Sequence, residues 1–87
     1  MDEEEREVAW LAMPEKAPVM DEAGEEIGRT EELLGDKADD IFHGIVVKLA
    51  RGGRKVEVRA DRIPKITTHR VYTDLAADEL EQLPEYR

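Results

Sequence analysis

Two histidines, His43 and His69, and the acids Asp36, Asp39 and Asp40 are the side chains here that invite a chemical reading. A histidine beside carboxylates can hold a metal or exchange a proton with a substrate. Both histidines fall at expected strand starts or turns, and no HxH or HExxH spacing accompanies them, so corner histidines are the simpler account. A calcium loop needs ligands at alternating positions, a central glycine and a terminal glutamate. Gly35-Asp36-Lys37-Ala38-Asp39-Asp40-Ile41 lacks that spacing and reads as a polar loop. Arg51-Gly52-Gly53-Arg54 lacks the lysine and following helix of a phosphate loop, and reads as a hairpin tip. The chain has no Cys and no Ser, which removes thiolate and serine nucleophiles and disulfides. These positions give no catalytic residue, no metal site and no cofactor, and the expectation is a protein that is not an enzyme.

Eighty-seven residues make one domain, which on folding buries only about 60–65% of its unfolded surface, so part of its stability can be shared with a partner. Residues 1–7 are expected to be an acidic tail and residues 8–87 the single domain. No apolar run reaches the ~20 residues of a membrane span. The acidic start is unlike a signal peptide, so no membrane insertion and a cytoplasmic location are expected. Arginine outnumbers lysine eight to five, Asn is absent and Gln82 is the one glutamine. A thermophilic source and a GC-rich genome both fit that composition.

The net charge of −9 is unevenly spread, with −11 over residues 1–42, +6 over 43–72 and −4 over 73–87. Two readings of the basic middle stand. Its strands can face acidic ones within the domain or across a dimer. Alternatively Arg51, Arg54, Arg59, Arg62, Lys65 and Arg70 can meet phosphates, as in an RNA- or ribosome-associated factor. The first is preferred, because the field of the whole molecule repels polyanions.

The elements that must position these residues are mostly strands. Val8–Met13 alternates as a strand, with Val8, Trp10 and Ala12 on one side and Ala9, Leu11 and Met13 on the other. Core packing is the simpler role for Trp10, but both sides are apolar, a surplus that points to self-association or docking. Pro14 and Pro18 interrupt it, Val19-Met20 resumes, and Asp21–Gly24 forms a tight turn with Gly24 at positive φ, its acids solvated or facing the basic hairpin. Glu26–Leu34 is the next strand. A two-residue turn at Gly52-Gly53 would pair Ile45 with Ala60, Val47 with Val58 and Leu49 with Val56, leaving one face wholly apolar. Short strands are expected around Ile66–Thr68 and Val71–Thr73. A C-terminal helix follows, capped by Asp74, with Leu80 and Leu83 on one face and Pro84 ending it.

In this order the pieces resemble the PRC-barrel family, whose fold occurs in the cytoplasmic part of the photosynthetic reaction-centre H subunit and in the C-terminal domain of the ribosome-maturation factor RimM. The resemblance rests on Val19-Met20-Asp21-Glu22-Ala23-Gly24-Glu25-Glu26-Ile27-Gly28-Arg29, on Ile45-Val46-Val47 and on Val56-Glu57-Val58-Arg59-Ala60-Asp61-Arg62-Ile63, across roughly residues 8–75. It implies a mainly β fold, a small antiparallel PRC-type β-barrel with a short C-terminal helix. It also implies a stand-alone module that works by binding and assembly without shared catalytic residues. A homodimer, or docking to another protein, is then expected through Trp10, Leu11, Met13, Leu80 and Leu83.

Overall fold

In the computed structural model, which describes residues 4–86, six strands form one mixed sheet. They are β1 (Pro18–Met20), β2 (Glu26–Asp36), β3 (Ile41–Leu49), β4 (Lys55–Arg59), β5 (Lys65–Ile66) and β6 (Val71–Tyr72), in the order β4-β3-β2-β1-β6-β5. The β1–β6 pair is parallel and the other neighbours are antiparallel, which corrects the wholly antiparallel expectation. The reason is non-local: after β4 the chain crosses to the far edge, and the β5–β6 hairpin brings β6 in alongside β1.

That crossing forces the sheet to curl. β4 and β5 lie at opposite edges, about 24 Å apart in a flat sheet of this strand order. Yet only residues 60–64 join them, and three of these, Ala60–Arg62, are wound into a 3₁₀ turn. Such a link reaches well short of that span, since even a fully extended one covers only about 20 Å. The two edges must therefore approach each other. Val56 and Val58 of β4, Ile66 of β5 and Val71 of β6 accordingly share one core with Val19, Ile45, Val47 and Leu75. Irregularities in the β1–β2 and β2–β3 registers supply the local bending. No strand pair joins β4 to β5, so the sheet curls without closing.

The β3–β4 hairpin keeps the expected faces but not the expected register. Ile45 pairs with Val58 and Val47 with Val56, a shift of two residues that leaves every side chain on its predicted side. The loop is four residues long, because the Leu49 N–H donates to Arg54 O and Ala50 and Arg51 join the turn. Gly52 and Gly53 have φ of +77° and +69°, the left-handed conformation glycine adopts without steric cost.

The Asp21–Gly24 turn is present, with Gly24 at positive φ, but its first acid is not solvated. Asp21 is buried, and its carboxylate accepts the N–H groups of Ala23 and Glu25 at 2.9 Å each. A backbone bond from Glu22 N–H to Leu75 O ties the turn to the C-terminal side.

Both ends of the chain depart from expectation. Val8–Met13 is not a strand: Val8 bonds to Ile66 O, and Trp10–Ala12 forms a 3₁₀ turn. Trp10 can then turn its ring onto the sheet, which a straight strand would not permit. Before it, Glu7 sits opposite Thr67, and the Glu5 carboxylate accepts hydrogen bonds from Thr67 and Tyr72. At the other end a six-residue 3₁₀ helix, Ala77–Gln82, stands where the capped helix was expected. Asp74 does not cap it, because its carboxylate is held by Arg62.

Candidate functional site

The segment from Trp10 to Lys16 lies against β2 and the β2–β3 turn, and each contact has an identifiable cause. Trp10 stacks on Phe42 with ring centroids 5.3 Å apart and planes 15° apart, and its Nε1 donates to Asp40 at 2.9 Å. The ring rests on the backbone at Gly35, where a Cβ would lie 2.9 Å from a ring carbon. No larger residue would leave that seat flat. Thr30, buried beneath the segment, accepts the Ala17 N–H at 2.9 Å and donates to Pro14 O at 3.3 Å. Lys16, at φ +55°, turns the chain back towards β1 and pairs with Glu31 at 2.9 Å. That Lys16 hydrogen bond holds the Glu31 carboxyl below its ordinary 4.5, against a smaller opposing effect of desolvation.

This arrangement leaves a groove of about 490 Å³ whose apolar lining is Leu11, Met13, Pro14 and Leu33. Its rim carries both signs of charge, Lys16 and Lys37 against Glu15, Glu31 and Glu32. Leu11 is half exposed there, at 50%, and with Ile41 is one of two large apolar side chains so exposed among the described residues. Of the expected docking residues, then, Leu11 is presented to solvent, Met13 lines the groove and Trp10 is committed to Phe42. Leu80 and Leu83 are half-buried against the core, and Leu83 lines a second groove with Val58, Leu75 and Pro84. The structure does not join them to the Trp10–Met13 surface as one patch.

The six basic candidates are dispersed, and most are occupied. Arg62 makes the tightest contacts, to Asp74 at 2.6 Å and to both carboxylate oxygens of Glu79 at 3.0 and 3.1 Å. The Arg62 hydrogen bond holds the Glu79 carboxyl below 4.5, and Glu79 and Asp74 together raise the Arg62 pKa. Arg54 donates to Leu80 O, Arg59 lies 3.8 Å from Asp61, and Arg70 lies 3.5 Å from Glu5. Lys65 sits over the Tyr72 ring at 5.5 Å. Arg51 is exposed at the hairpin tip and forms no ion pair among the described residues. Both histidines are exposed: His43 is on β3, and His69 lies in the turn before β6, three strands away in the sheet. Among the described residues no three metal-ligating side chains come together. Asp36 closes its own turn by accepting the Ala38 and Asp39 N–H groups.

Sequence reasoning missed the partners that fix the groove. Gly35, expected in the polar loop, lies instead on β2, where its bare backbone seats the Trp10 ring. Phe42 and Thr30 carried no local signal of their pairing with Trp10 and Ala17. Among the described residues no helix is long and apolar enough to cross a membrane. Comparison with models of known protein families and with curated proteins finds no match for this chain.

Proposed function

We propose that the chain is a non-catalytic binding and assembly module of the PRC-barrel type that pairs with a second copy of itself in the cytoplasm. The barrel-type reading is supported by the short link between the two sheet edges and by the single core their strands share. The assembly reading is carried by one observation: the half-exposed Leu11 lines an open apolar groove with Met13, Pro14 and Leu33. An exposed apolar patch can meet the same patch of a second copy, as an isologous two-fold interface requires. The mixed charge of the rim serves the same end, because Lys37 of one copy can meet Glu15 or Glu32 of another. The engagement of Arg54, Arg59, Arg62 and Arg70 within the chain favours this reading over a phosphate-binding one.

Amide chemical shifts followed by NMR through a dilution series test it. The shifts of Leu11, Met13, Lys16 and Leu33 are expected to move together with concentration. Concentration-independent spectra, combined with RNA-induced shifts at Arg51, Arg54 and Arg59, would replace this reading with the RNA-associated one.

A further inference from the structure

The open edge of β4 is covered by the chain's own C-terminal segment. Glu85 sits opposite Val56, with the Glu57 N–H donating to Pro84 O at 3.0 Å and the Tyr86 N–H to Lys55 O at 2.9 Å. These two bonds flank a non-hydrogen-bonded antiparallel pair, the geometry of a strand added to a sheet edge. Leu83 reaches into the groove floored by Val58 and Leu75. Tyr86 crosses the outer face towards Glu57 and Glu32, which flank the buried Val46 in the sheet register.

We propose that the β4 edge is a strand-addition site, and that the Leu83–Tyr86 segment of a second copy takes it in exchange for the chain's own. The contacts that hold the segment are backbone bonds and side-chain contacts that an identical segment reproduces in trans, so exchange loses no contact. Withdrawal removes no fully buried side chain: Leu75 is the last such residue, and Leu80 and Leu83 are only half-buried against the core. What retains it is a polar latch: Arg62 grips Asp74 and Glu79 on either side of the exit from the core, and Arg54 holds Leu80 O. This exchange does not depend on the Leu11 groove.

The absence of cysteine permits a direct test in the full chain carrying Leu11→Asp, which removes the other proposed contact. In the double variant Val56→Cys/Glu85→Cys, the non-hydrogen-bonded pairing puts the two Cβ atoms within disulfide reach, and an internal bridge should form in dilute solution. Failure to form it would overturn the register and the proposal with it. The single variants Val56→Cys and Glu85→Cys, mixed and oxidised, should give a disulfide-linked heterodimer. Its yield should exceed by several-fold that of Val56→Cys mixed with Asp78→Cys, an exposed position nearby. Adding Arg62→Gln, or Glu79→Gln, should open the latch and raise the heterodimer yield further. Equal yields from Glu85→Cys and Asp78→Cys, while the double variant closes its internal bridge, would overturn the exchange.

Discussion

Trp10 illustrates how single residues here settle matters that patterns leave open. Its ring needs Phe42 to stack on, Asp40 to accept its N–H and the bare backbone of Gly35 beneath, so the residue acts within the chain and leaves Leu11 to face outward. Asp21 has a comparable internal role. Asp21→Ala leaves the Ala23 and Glu25 N–H groups without their acceptor and should cost about 1–3 kcal/mol in urea denaturation. A second residue-scale prediction concerns pH. The carboxyls of Glu5, held by Thr67, of Glu31, held by Lys16, and of Glu79, held by Arg62, all have folded values below 4.5. Their unfolded forms bind protons first, so the stabilisation is fully present above pH 4.5 and is lost as pH falls through the folded values. The thermal midpoint should drop on acidification below pH 4.5, and the drop should be shallower in Glu79→Gln.

At the scale of elements, the β3–β4 hairpin shows what was legible and what was not. Alternation of Ile45, Val47, Val56 and Val58 identified both strands and the buried face, because period-two patterning depends on each strand alone. Loop length escaped, because Gly52 and Gly53 serve a four-residue turn as well as a two-residue one. Gly53→Ala forces a side chain into φ +69° and should cost about 1 kcal/mol or more in denaturant midpoint, with little change in slope. The strand expected at Val8–Met13 failed for a tertiary reason: the indole's seat on β2 and β3 outweighs local alternation. The parallel β1–β6 pairing was likewise illegible, since nothing local to Val19 or Val71 names the other. The Leu11 groove was half legible: Leu11 and Met13 stood out, but Leu33 and the Glu31 that pairs with Lys16 come from β2.

For the whole molecule, the governing facts are a curled sheet with one core and a net charge of −9. The curl lets so short a chain enclose one core without a covering helix layer, and its two terminal segments cover the β4 and β5 edges. The charge works against pairing, since two copies repel until salt screens them. Self-association should therefore strengthen with ionic strength, the opposite of the trend for phosphate binding. Sedimentation equilibrium at micromolar concentration, in about 0.15 M and about 0.5 M salt, tests the central claim most directly. Wild type is expected to form a dimer that tightens at the higher salt, while Leu11→Asp stays monomeric at both. A strictly monomeric wild type in both buffers, or a Leu11→Asp variant that dimerises as wild type does, would contradict the account.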